Sequence, residues 1–217
     1  NLHSLRRLGM DGLLLMLRWA AEAKLNTLLI EYDDMFPLQK YPDSCAPNAL
    51  TPEEVAKLVG TARSYGLECI PLVQTCGHLE RILDNPVLAH IREVPDRFAQ
   101  LCPRNPEALA FVLDMLEAYL AAHPGLRYLH IGGDETRQLG HCPVCRDYAQ
   151  AHGKGRLYAD FMNQIIAFLC DRGVTPLIYD DMICAHPEAM EVLDRRAVIV
   201  YWDYWTTSME PPQLIAR

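Results

Sequence analysis

Apolar and polar positions along the chain alternate between two rhythms. Leu14, Leu17 and Ala21 recur at helical spacing, and the pattern predicts a helix over 12–24 with Asp11 as its cap. A short apolar run comes next at 26–32, Asn-Thr-Leu-Leu-Ile-Glu-Tyr, and reads as a buried strand. Thr51-Pro52-Glu53-Glu54 is a capping box with proline at the first helical position, and Gly66 stops that helix after Tyr65. Asn105-Pro106 opens a helix to Ala122, and another spans 156–171 before Gly173. Further apolar runs at 67–73, 127–131, 174–179 and 197–202 read as strands, and Pro187 starts a short helix.

Repeated strand–helix units with continuous apolar strands imply a parallel sheet covered on both faces. The pattern alone leaves two folds open, a doubly wound sheet and a (β/α)8 barrel. No Gly-x-Gly-x-x-Gly turn follows the first strand, which counts against a dinucleotide fold. In both folds chemistry gathers at the C-terminal ends of the strands.

Those ends carry Glu31-Tyr32-Asp33-Asp34, Gln74-Thr75-Cys76-Gly77-His78-Leu79-Glu80, His130-Ile131-Gly132-Gly133-Asp134-Glu135, Tyr179-Asp180-Asp181 and Tyr201-Trp202-Asp203-Tyr204-Trp205. Acids, histidines and aromatics therefore collect at one end of every strand. A sugar site needs this mixture: carboxylates for proton transfer and hydroxyl contacts, aromatic faces for the apolar side of a ring. The run 130–135 is the sharpest feature, because two glycines let the backbone turn tightly before two consecutive carboxylates. Its five fixed positions would arise by chance on the order of once in ten thousand such chains.

His-x-Gly-Gly-Asp-Glu resembles the catalytic signature of glycoside hydrolase family 20, the β-N-acetylhexosaminidases. The Glu-Tyr-Asp-Asp, Gly-His-Leu-Glu and Tyr-Asp-Asp-Met segments are similar to its bacterial and hexosaminidase-D-like branch, and the likeness covers roughly residues 9 to 205. The resemblance implies one incomplete (β/α)8 barrel over 1–217, holding the second to sixth strands, with the first before Asn1 and the last two after Arg217. The sugar-binding Arg of the family's first strand, and the Tyr and Trp of its last two, then have no counterpart here.

It also implies substrate-assisted chemistry, in which the substrate's 2-acetamido oxygen attacks the anomeric carbon. Glu135 would protonate the leaving oxygen and then activate water. Asp134 would orient the acetamido N–H and stabilise the oxazolinium charge. His130 is expected to form a polar link beneath the site, with Asp33 or Asp34, and His78 to contact the site or the acid. Trp202 is expected to wall the acetamido pocket, and Asp180 and Asp181 to contact sugar hydroxyls or support Glu135.

Composition narrows the partners more than the chemistry. The chain has 217 residues, half of them hydrophobic, and a formal net charge of -8. An acidic chain is a poor match to nucleic acid or an anionic membrane, and says little about a neutral sugar. No apolar run approaches the ~18–20 residues that cross a bilayer. Eight cysteines in a chain with an evident core are read as reduced, which favours a cytoplasmic setting. Cys142-Pro-Val-Cys145 is a lone C-x-x-C without the four ligands of a structural zinc site, so the pair reads as loop cysteines, and neither metal nor cofactor is expected.

Two other functions compete with an exo-acting hexosaminidase. A non-catalytic sugar-binding module would bind N-acetylglucosamine without turnover. A metal-dependent hydrolase using His130, Asp134, Glu135 and the cysteine pair would be abolished by a chelator.

Overall fold

The computed structural model describes residues 1–204, and its frame is a five-stranded parallel sheet. A short helix α1 (Leu2–Leu5) and α2 (Gly9–Glu22) precede β1 (Thr27–Glu31). Then come α3 (Pro52–Ser64), β2 (Glu68–Leu72), α4 (Glu80–Leu83), an antiparallel hairpin of β3 (Arg92–Val94) and β4 (Arg97–Leu101), and α5 (Pro106–Ala122). The remainder is β5 (Tyr128–His130), α6 (Pro143–His152), α7 (Lys154–Cys170), β6 (Thr175–Tyr179), α8 (Asp181–Ala185) and β7 (Val198–Val200).

The sheet order is β1-β2-β5-β6-β7. Strands lie in chain order, without the reversal that marks the ligand crevice of a doubly wound sheet. The outer strands β1 and β7 expose Leu29 and Val198, whereas Leu129 at the centre of β5 is fully buried.

Local sequence accounts for the helices. In α3 the Thr51 hydroxyl accepts from the Glu54 amide at 3.2 Å, and the Glu54 carboxylate accepts from the Thr51 amide at 2.8 Å. Val55, Leu58, Val59 and Ala62 form its buried stripe, and Gly66 leaves the helix at φ 75°. Asn105 caps α5, whose face of Ala108, Phe111, Val112, Met115, Leu116 and Tyr119 enters the core.

The structure departs from the sequence reading at several boundaries. Asp11 does not cap α2: the helix starts at Gly9 and Asp11 lies in its first turn. The β3–β4 hairpin and α6 fall where only loop was expected. Residues 92–101 lack an alternating apolar pattern, and Cys142 rather than a hydroxyl or carboxylate residue caps α6. No helix among the described residues is long and apolar enough to cross a membrane.

Candidate active site

β5 is only three residues long, and hydrogen bonds from the neighbouring strands and loops fix its C-terminal end. Val73 N–H donates to His130 O at 2.8 Å, Ile131 N–H to Leu177 O at 2.8 Å, and the Thr75 hydroxyl to Ile131 O at 2.7 Å. The chain then turns through Gly132 (φ 63°) and Gly133 (φ 90°). Neither position tolerates a side chain. A Cβ at Gly132 would lie 2.0 Å from Gln74 Oε1, and one at Gly133 2.5 Å from the Tyr158 hydroxyl. That hydroxyl donates to Gly133 O at 2.9 Å. Asp134 and Glu135 are thereby delivered at the sheet's C-terminal end, and Asp181, after β6, accepts the Glu135 N–H at 2.9 Å.

These residues open into a cavity of about 470 Å³. Its wall includes Glu31 at the end of β1 and Asp33 after it, Gln74, His78 and Arg81 after β2, Asp134 and Glu135 after β5, Tyr179 of β6, and Trp202 and Tyr204 after β7. His78 Nε2 lies 3.2 Å from Asp134 Oδ2 and 3.5 Å from Glu135 Oε2. The hydrogen bond to Asp134 pushes the His78 imidazole up to about 9 against the opposing effect of burial. It is therefore a cation at neutral pH, seated between two carboxylates. Asp134 Oδ1 is buried with no hydrogen-bond partner among the described residues. Arg137 Nη2 reaches Glu135 Oε1 at 2.8 Å, and Arg81 pairs with Asp33.

The backbone is also unusual here. Among the described residues, four that are not glycine adopt positive φ: Lys24, Asp33, His78 and Glu135. Three of the four line this cavity. Such conformations cost of order 1–3 kcal/mol each and persist where the surroundings impose them.

Of the residues expected from sequence, Asp33, His78, Asp134, Glu135 and Trp202 meet at the cavity. Asp180 and Asp181 stand behind it. Asp180 is buried and accepts the Trp202 N–H at 3.2 Å, and Asp181 holds the Glu135 amide, with burial raising its own carboxyl. His130 departs from expectation: it has no link to Asp33 or Asp34. Its Nδ1 accepts the Gly132 N–H at 3.0 Å, its ring packs 4.1 Å from that of Tyr179, and burial pushes it down to about 4. It is a neutral bracket for the glycine turn. Asp34 bonds His3 at 2.6 Å, and Asp33 bonds Arg81 and Asn1. Trp205 lies outside the described residues.

Sequence reading missed Glu31, Gln74, Arg81 and Tyr179. Glu31, Gln74 and Tyr179 sit in the strand-end segments already singled out, and Arg81 lies one residue beyond them. Position in those segments was the signal, but which side chains turn inward depends on the loop backbone. The metal-type ligand grouping among the described residues, Glu93, Cys102, Cys142 and Cys145, contains neither Asp134 nor Glu135.

Comparison with known proteins bears on this geometry. The family model for the glycosyl hydrolase family 20 catalytic domain matches residues 21–213. Hexosaminidase D of Bos taurus is 36% identical over 187 residues, covering 82% of this chain and 54% of that protein. The chain thus spans about half the length of this relative. A β-N-acetylhexosaminidase from Bacteroides fragilis superposes with a TM-score of 0.79 at 18% identity, covering 95% of this chain and 45% of that one. A variant Streptomyces plicatus β-hexosaminidase in complex with the product GlcNAc superposes with a TM-score of 0.73 at 21% identity, covering 96% and 42%.

Proposed function

The chain belongs to glycosyl hydrolase family 20, and we propose that it carries the catalytic end of a retaining exo-β-N-acetylhexosaminidase. The observation that carries this reading is the delivery of Asp134 and Glu135, side by side, into one cavity with His78 touching both. Two adjacent carboxylates on one loop do not flank a bond from opposite sides, as a nucleophile and an acid must in most retaining glycosidases. They suit a mechanism in which the substrate brings its own nucleophile.

Glu135 gives its proton to the glycosidic oxygen as the 2-acetamido oxygen closes on the anomeric carbon. It then takes a proton from the water that opens the oxazolinium ion. Asp134 accepts the acetamido N–H and balances the charge that develops on the ring. His78 fixes the Asp134 carboxylate through Oδ2, and Asp181 fixes the backbone of Glu135. Trp202 supplies an apolar face for the acetamido methyl, and Glu31, Asp33 and Arg81 are placed for sugar hydroxyls. The substrate is a terminal β-linked N-acetylglucosamine or N-acetylgalactosamine. Five strands in chain order with exposed outer strands support reading the sheet as the second to sixth strands of a (β/α)8 barrel.

The test is release of p-nitrophenol from p-nitrophenyl β-N-acetylglucosaminide, with a thiazoline mimic of the cyclised intermediate as inhibitor. Turnover that the thiazoline blocks and Glu135→Gln removes is expected. Binding of N-acetylglucosamine by folded protein without any turnover would replace this reading with a sugar-binding module.

A further inference from the structure

Seven residues past Glu135 the chain enters a second buried cluster that the proposed reaction does not use. Cys142 caps α6, Cys145 lies in its first turn, and Cys102 arrives from the end of β4. Glu93 reaches in from β3 and is 1% exposed. One ligand-type atom from each of the four lies within 4.8 Å of every other. We propose that Glu93, Cys102, Cys142 and Cys145 form a structural zinc site that fastens the loop after the carboxylate pair to the β3–β4 hairpin.

The spacing favours a metal over a crosslink. Four ligands about 2.3 Å from a tetrahedral zinc put neighbouring sulfurs roughly 3.8 Å apart. Cys102 Sγ lies 3.6 Å from Cys142 Sγ and 3.4 Å from Cys145 Sγ. A disulfide would bring two sulfurs to about 2.05 Å and strand the third. Both pairs instead sit near the tetrahedral edge length, which a three-thiol site requires at once.

Glu93 supplies the independent observation. A buried carboxylate is costly unless a cation or a full set of donors meets it. Its Oε1 accepts the amides of His141 at 2.7 Å and Cys142 at 3.0 Å. Oε2 is buried without an N–H or O–H donor, and Glu93 forms no ion pair among the described residues. A divalent cation held by three thiolates would complete it. The surroundings are those of a metal site as well. Cys142 Sγ accepts the Cys145 amide at 3.3 Å, and the positive end of α6 faces the anionic ligands. Thiolate-rich, closed and tetrahedral coordination selects zinc over harder cations.

The sequence motif looked incomplete because two ligands come from upstream of the C-x-x-C pair, Cys102 and Glu93 lying 40 and 49 positions before Cys142. This site is structural, and it stands whether or not the cavity hydrolyses hexosaminides.

The experiment is metal analysis of the intact protein purified without chelator. One zinc per chain is expected, and cobalt exchanged into the site should show a thiolate charge-transfer band. Chelation under mild denaturant should make three further thiols reactive and lower Tm. Cys102→Ser and Glu93→Gln should lose zinc affinity more than about tenfold. Cys142→His, which replaces one zinc ligand by another, should keep it, as should Cys69→Ser outside the cluster. The same zinc content in Cys102→Ser as in the wild type would overturn the proposal. So would a wild-type protein with no zinc and reactive thiols, or one whose mass shows a Cys102 disulfide.

Discussion

Two polar clusters in this protein each combine histidine with a hydroxyl or carboxylate partner, yet they differ in how fully their polar groups are satisfied. Beside α5, the Tyr32 hydroxyl meets His123 Nε2 at 2.9 Å, and His123 Nδ1 meets Tyr119 O at 2.8 Å. Tyr32, Phe36, Tyr119 and His123 pack edge-on or stacked, with centroids 3.7 to 6.2 Å apart. Both nitrogens of His123 are used, and the cluster is closed to solvent. At the cavity, Asp134 retains an oxygen without a donor, His78 is charged and half-exposed, and three residues hold left-handed backbone. The contrast is one of saturation. A polar group whose capacity is filled by the protein supports the fold, whereas a charged, part-exposed group at a cavity wall can meet a substrate.

Substitutions can sharpen or break this contrast. The largest effect is expected from Glu135→Gln, which keeps the shape and removes the proton. Hydrolysis should fall about 10³-fold with an unchanged circular dichroism spectrum. Loss of less than tenfold would remove Glu135 from the role of general acid. Gly133→Ala should cost about 2–4 kcal/mol in a urea titration, since it adds both a left-handed penalty and a collision with Tyr158 and Met162.

Acid should act through His130. The unfolded imidazole takes a proton near pH 6.5, while burial holds the folded one down to about 4. The unfolded state therefore binds the extra proton within that window. Stability should be intact above pH 6.5 and fall as pH drops from 6.5 toward 4, by up to about 1.4 kcal/mol per pH unit. Thermal melts across that window check the sign, and a flat response would remove His130 from the account.

Tyr32→Phe should cost about 1–2 kcal/mol of stability by leaving His123 Nε2 unpaired. It should leave kcat unchanged; a fall in kcat would break the distinction between the two clusters. The smallest stability effect belongs to His78, whose folded value lies above its unfolded one. Its contribution should be complete below pH 6.5 and lost as pH rises through about 9. Because the side chain is 37% exposed, screening should keep it under about 1 kcal/mol. His78→Gln should abolish that alkaline slope in melts.

Sequence reasoning located the strand ends because parallel strands bury both faces, so an abrupt change from apolar to charged residues marks where each strand stops. The capping box at Thr51 and the glycine stops at 66 and 173 were legible for local reasons, each depending on residues within one turn. His130 and His123 were not separable from His78 in the same way. A histidine's role depends on which atoms surround its two nitrogens, and those come from a residue 91 positions away in one case and from a glycine two positions along the loop in another. The partners of the C-x-x-C pair were hidden for a related reason: the hairpin that brings Glu93 and Cys102 has no apolar alternation to announce it.

The left-handed backbone at Asp33, His78 and Glu135 also bears on protein engineering. A stabilisation campaign guided by conformational preference would target these positions first, replacing each with glycine or asparagine. Melting temperature would rise at the sites where the proposed reaction needs the side chain. A thermostable variant of this protein must therefore gain its stability elsewhere, in the helices and the outer strands, and leave the rim of the cavity as uncomfortable as it is.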